Sequence, residues 1–172
     1  MGQPCQRGTW AGGERPPRLT TPMRAGFTAI HAGRITFGKD GRWYCDDEVI
    51  ANAAICRLYA RAMTIGEDGV ARLTLGEDRA QVTIEDTPWV VRQVDGDPVR
   101  GYTVSLNDDT VEPLDPDTLR VGDQHVLYCR VKGRQHEARF LRAAYYELLR
   151  HAVVARDGRL ELPVGDRRIP LG

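Results

Sequence analysis

Apolar and polar residues alternate in two rhythms along this chain, and the changes of rhythm mark its elements. The segment RITFGKDGRWYC, from residue 34, reads as a hairpin turning at Asp40-Gly41, where glycine supplies the positive φ of a tight turn. Across 53–63 the spacing becomes three and four. Ile55, Leu58, Tyr59, Ala62 and Met63 form one helical stripe, with Asn52 placed to cap its start. A period of two then returns. Asp68-Gly69 and Gly76-Glu77-Asp78 turn successive hairpins, and Ala80, Val82 and Ile84 alternate with Gln81, Thr83 and Glu85, predicting a strand with one buried face.

Pro88 interrupts this ladder. WVVRQV follows, then a turn at Gly96-Asp97-Pro98 and a strand that puts Tyr102, Val104 and Leu106 on one face. NDDT at 107–110 is another turn, and 115–124 is a connector with one helical turn near 116–120. VLYCRVK and HEARFL predict a hairpin around Gly133-Arg134. A second helix over 142–152 aligns Ala144, Tyr145, Leu148 and Ala152, and Asp157-Gly158 turns the final hairpin.

Residues 61–82 and 150–171 align without a gap at an offset of 89. Arg61, Asp68, Gly69, Leu73, Gly76 and Arg79 meet Arg150, Asp157, Gly158, Leu162, Gly165 and Arg168. Each segment follows a predicted helix. The expectation is an α+β protein with mostly antiparallel sheets, built from two similar helix-plus-β-hairpin modules over 34–88 and 89–172. A unit this small closes its core against its copy, and the seam between copies is a natural place for a ligand.

Residues 1–33 break the pattern. They are rich in Gly, Pro and Thr, and carry Arg7, Arg15, Arg18 and Arg24 against Glu14. Such a segment is expected to be a disordered tail, with Met23 the expected true start. Lys plus Arg and Asp plus Glu are both 24, so no global field holds a phosphate polymer, and nucleic acid is not an expected partner. No apolar run reaches the length of a membrane span and no secretory pattern opens the chain, so a cytoplasmic protein is expected. Cys5, Cys45, Cys56 and Cys129 have no zinc-site spacing and read as reduced thiols, the last three packed as small hydrophobes.

No catalytic signature, cofactor motif or metal-ligand pattern stands out, so no catalytic residue, cofactor or metal is assigned. Two charge blocks do stand out. Residues 107–123 hold Asp108, Asp109, Glu112, Asp115, Asp117 and Asp123, whereas 129–142 holds Arg130, Lys132, Arg134, Arg139 and Arg142. If Gly133-Arg134 is a two-residue turn, Tyr128 faces Arg139 and Arg130 faces Glu137, with Arg130 and Lys132 on the side of Tyr128. Arginine matches phosphate in a fork and tyrosine offers a stacking plane, so this face could hold a nucleotide-like anion; a solvated face of cross-strand ion pairs is the plainer reading. Asp86, in Glu85-Asp86-Thr87-Pro88-Trp89, reads first as the acceptor of an Asx-type turn and second as a ligand acceptor in a cleft.

These residues resemble a bacterial family known as domain of unknown function 1285. The resemblance rests on Asp40, Gly41 and Trp43; on Arg57, Leu58 and Tyr59; on Glu85, Asp86, Pro88 and Trp89; and on Glu137, Ala138, Arg139, Arg142, Tyr145, Tyr146 and Leu148. One departure is near Asp47, where the family usually has a glycine after the Trp43 strand. The resemblance implies a fold with repeated motifs, a second half loosely like a pleckstrin-homology domain, a nucleotide-like ligand between the halves and a role in signalling. It brings forward Asp86, Arg139, Arg142 and Tyr145.

Together these readings predict a small-molecule-binding module in bacterial signalling or stress response. Arg130, Arg139 and Arg142 hold an anion, Tyr145 or Tyr128 stacks on it, and Asp86 accepts a hydrogen bond. The alternative is a protein–protein adaptor without a small ligand. An enzyme would need a titratable cluster in a pocket, which the sequence does not display.

Overall fold

The computed structural model describes residues 33–171, so the expected tail and the question of Met23 lie outside the described residues. The first sheet grows from β1 (Ile35–Phe37), β2 (Trp43–Cys45), β3 (Glu48–Val49), β4 (Met63–Ile65), β5 (Ala71–Leu75) and β6 (Asp78–Ile84), in the order β3-β2-β1-β6-β5-β4. Helix α1 (Ala53–Ala62) lies between β3 and β4 in the chain. Asn52 caps it as expected, its Oδ1 accepting from the N–H groups of Ala54 (2.9 Å) and Ile55 (3.2 Å). Phe37, Trp43, Tyr59 and Leu73 are buried in the first core, where the Trp43 ring meets Phe37 at 4.9 Å and Tyr59 at 5.4 Å. Ala60 joins the helix's buried face, while Leu58 is half-buried.

The second sheet has β7 (Trp89–Asp97), β8 (Gly101–Leu106), β9 (Val111–Pro113), β10 (Arg120–Val121), β11 (Leu127–Val131) and β12 (His136–Phe140), ordered β10-β11-β12-β7-β8-β9. Helix α2 (Arg142–Leu149) packs on β7. Its Glu147 accepts the Val94 N–H at 2.8 Å, beyond a bulge between Val91 and Gln93. A small third sheet, β13 (Val153–Val154), β14 (Leu160–Val164) and β15 (Arg167–Pro170), sends Leu162 and Ile169 into the second core. The Tyr102 hydroxyl ties down this sheet by donating to the Pro163 carbonyl at 3.2 Å.

The molecule is therefore α+β, and its sheets are mostly antiparallel. Two pairings run parallel, β1 with β6 (Ile35 opposite Val82) and β12 with β7 (Ala138 opposite Trp89). Strand β7 serves both cores: Val90 faces the first, Trp89 and Val91 the second. At the same joint the hairpin turn at Gly41 (φ 76°) closes so tightly that a Cβ there would lie 3.1 Å from Val90 Cγ2 and 3.2 Å from Leu141 Cδ1.

The two aligned segments form hairpins of the same register. Leu73 pairs with Ala80 as Leu162 pairs with Ile169, and Thr64 pairs with Arg72 as Val153 pairs with Glu161, each at the offset of 89.

Some elements differ from the sequence reading. Helix α2 stops at Leu149, so Ala152 leaves the predicted stripe. Strands β3, β9 and β10 have only two or three residues, too few for a period to register. Asp46 and Asp47 both adopt positive φ (49° and 69°), so the turn keeps a glycine-like backbone at the departure from the family pattern.

Candidate functional site

The β11–β12 hairpin has the register expected of a Gly133-Arg134 turn: Tyr128 faces Arg139, Cys129 faces Ala138, and Arg130 faces Glu137. Gly133 and Arg134 both have positive φ (65° and 67°), as that turn requires. Position 132 breaks the strand's alternation. Lys132 also has positive φ (54°), and its ammonium reaches the Trp89 side rather than the Tyr128 side, 5.9 Å from the indole centre. There it binds Asp108 (2.8 Å), Glu112 (3.2 Å) and the Thr110 hydroxyl (2.6 Å). Burial pushes the Asp108 carboxyl up, but Lys132 and Thr110 together hold it below its usual range. The charge blocks pair with each other only in part: Arg134 binds Asp115 and Arg120 binds Glu137 at 2.9 Å, but Asp109 binds Arg61, Asp117 binds Arg167 and Arg139 binds Asp86.

Asp86 does not close an Asx turn. That backbone role falls to Thr87, whose buried hydroxyl donates to the Trp89 carbonyl at 2.7 Å and accepts from the Arg139 N–H at 3.1 Å. Asp86 instead accepts from the Tyr128 hydroxyl at 3.1 Å and the Arg139 guanidinium at 2.6 Å. Arg120 lies over the Tyr128 ring, 4.3 Å from its centre. Burial pushes the Tyr128 phenol up, and the Asp86 acceptor adds to that.

Arg139 also borders a cavity of about 310 Å³ between residues 124–126, the start of β11, β12 and α2. Arg142, Tyr145 and Tyr146 border it from the helix, and Gln124 and His125 from the loop. The rings of Tyr145 and Tyr146 stand 5.7 Å apart. Arg142 is exposed and has no hydrogen-bond or ion-pair partner among the described residues for its guanidinium. Gln124 and His125 have consecutive positive φ (55° and 58°), a conformation costing non-glycine residues about 1–3 kcal/mol each.

Of the six residues singled out from the sequence, Arg139, Arg142 and Tyr145 line one cavity, Asp86 binds the Arg139 guanidinium, and the Tyr128 hydroxyl donates to Asp86. Arg130 stands apart. It is exposed outside this cavity, and the polar contact made by its backbone N–H is to Thr118 at 3.0 Å. Gln124 and His125 were not anticipated, because no residue-type pattern announces two left-handed residues in a short loop. Among the described residues no cluster of three or more His, Cys, Asp or Glu side chains could hold a metal. No helix there is long and apolar enough to cross a membrane.

Comparison with solved structures bears on the fold. A DUF1285 family protein from Silicibacter pomeroyi superposes with a TM-score of 0.60 at 17% identity, over 79% of this chain and 78% of the other. One from Shewanella baltica superposes with a TM-score of 0.54 at 19% identity, over 69% of this chain and 92% of the other. The chain has the fold of DUF1285 family proteins. No protein-family model matches it, and no curated protein does. The site is therefore argued from its own residues on this DUF1285-type scaffold.

Proposed function

We propose that the protein is a binding module for a small anionic, nucleotide-like ligand, acting in the bacterial cytoplasm in signalling or stress response. The observation that carries this reading is the unpaired Arg142 guanidinium beside Arg139, Tyr145 and Tyr146 in one cavity. Arginine forks suit phosphate or carboxylate oxygens, and a tyrosine face suits a base. Asp86 then positions Arg139 and does not touch the ligand. The two hairpin units are read as copies of one module, and the second half as a distant analogue of a pleckstrin-homology domain.

A thermal-shift screen of the full chain against nucleotides, dinucleotides and phosphosugars tests this. A ligand at 100 times its Kd stabilises the fold by about 2.7 kcal/mol. The rise in Tm should vanish in Arg139→Ala and Arg142→Gln, with the ligand-free Tm of Arg142→Gln unchanged. A flat response across the panel refutes the reading.

A second reading, a protein adaptor, is supported by one observation. Val153, Val154 and Leu160 are exposed together on the β13–β14 hairpin, Val154 by 70%.

A further inference from the structure

In the β4–β5 hairpin Ile65 pairs with Ala71, and 89 residues further on Val154 pairs with Leu160 in the β13–β14 hairpin. The first pair is covered: Ile65 packs against both cores and Ala71 is buried. The second pair is bare, Val154 being 70% exposed and Leu160 36%. Strand β13 is also the outer strand of its sheet, and among the described residues no strand pairs with its free edge. The Ala155 N–H donates to the Arg159 carbonyl at 2.8 Å, and the Leu160 carbonyl accepts from the Leu171 N–H, on the other side of β14, at 2.8 Å. Bonded and non-bonded pairs alternate along an antiparallel ladder, so Val154, next along from Ala155, turns its own N–H and C=O outward to the free edge.

A cavity of about 400 Å³ borders this edge, lined by Val153, Val154, Ala155, Arg156, Glu161 and Arg168. Arg156 and Arg168 have no hydrogen-bond or ion-pair partner for their guanidiniums among the described residues, so two free cations stand against the single carboxylate of Glu161. Register sorts the two faces of the sheet. Val154 and Leu160 share the face of the buried Leu162, whereas Val153, Glu161 and Arg168 share the other. The free edge thus offers one backbone donor–acceptor pair, an apolar patch on one face and cations on the opposite one.

We infer that the free edge of β13 is a docking site for an extended segment of another protein in which acidic and aliphatic residues alternate. This docking, which rests on the adaptor reading, is independent of the cavity beside α2. The segment joins the third sheet as a fourth, antiparallel strand, one of its residues exchanging both backbone hydrogen bonds with Val154. Its side chains then divide between the faces: aliphatic ones cover Val154 and Leu160, and carboxylates reach Arg156 and Arg168 across the cavity. Charge separates this occupant from those the chain itself could supply. Residues 1–32 carry Arg7, Arg15, Arg18 and Arg24 against Glu14, and a second copy brings the same excess of arginine to the edge.

The test titrates the full ¹⁵N-labelled chain with a capped heptapeptide of alternating glutamate and valine, and with its lysine–valine counterpart, each up to about 1 mM. The glutamate peptide should shift the β13 amides in a dose-dependent way, Val154 among them, and the lysine peptide should not. Arg156→Glu and Arg168→Glu alter exposed side chains, and each should weaken the glutamate peptide about tenfold. Val154→Pro removes a donor that the fold itself does not use, so it should abolish binding while the rest of the spectrum stays dispersed. Arg142→Gln should change nothing. The inference is overturned if the β13 amides stay still, if Val154→Pro or both arginine variants bind as the wild type does, or if Arg142→Gln abolishes the shifts. A lysine peptide that binds as tightly or more tightly overturns it too, yet leaves the adaptor reading its surface; with neither peptide bound, both are lost.

Discussion

Gly41→Ala is the sharpest probe of the joint between the two sheets. Gly41 and Gly69 have nearly the same φ, 76° and 75°. A Cβ at Gly69 meets nothing within 4 Å, whereas a Cβ at Gly41 lies 3.1 Å from Val90 Cγ2 and 3.2 Å from Leu141 Cδ1. Gly69→Ala therefore costs the left-handed strain alone, about 1–2 kcal/mol, less the few tenths returned by restricting the unfolded chain. Gly41→Ala costs the same strain plus overpacking of about 1–3 kcal/mol, since Val90 is 1% exposed and cannot retreat into solvent. Urea unfolding of wild type and both variants, with the slope m held common, reads the gap directly as a difference in midpoint. Gly41→Ala should be the less stable variant by about 1–3 kcal/mol. Equal midpoints for the two variants would refute the tight contact at Gly41.

Other consequences can be checked as simply. His136 stacks on Trp89 at 4.5 Å, and burial, with Arg130 and Lys132 nearby, holds its imidazole below the usual 6.5. The unfolded chain thus takes up this proton first, so stability is full above pH 6.5 and declines as pH falls below it. His136→Phe should flatten that part of a pH–stability curve measured by urea, and an unchanged slope would exclude His136 as its source. The Cys129 thiol is pushed up to about 12, by burial first and nearby carboxylates second, so it should react with a disulfide reagent only on unfolding, after Cys45 and Cys56. Asn52→Ala should cost about 1 kcal/mol by orphaning the N–H groups of Ala54 and Ile55, and Asn52→Asp should keep most of that, as urea midpoints would report.

What the sequence made legible was local. The Asp-Gly and Gly-Arg turns fix register over a few residues, which is why the pairing of Tyr128 with Arg139 could be written down in advance. The Asn52 cap and the buried face of β6 were readable for the same reason. Contacts carried by long separations were not. The two parallel pairings join segments about fifty residues apart, and nothing in either strand names its partner. Asp86 looked like a turn residue because its near neighbours suggest one, yet its partners, Tyr128 and Arg139, lie 42 and 53 positions away. Lys132 escaped the strand's alternation through a single positive φ. The outward turn of Val154 depends on Ala155 and Leu160 being bonded elsewhere, a fact of pairing with no trace in composition.

Strand β7 gives Val90 to one core and Trp89 and Val91 to the other, so neither core can melt without exposing apolar surface on a strand that the other still holds. The described body should then lose structure as a single cooperative unit rather than lobe by lobe. Its slowest-exchanging amides should cluster in β7, and a fragment cut at residue 88 should fail to hold its own fold, because it leaves behind the valine that fills its core.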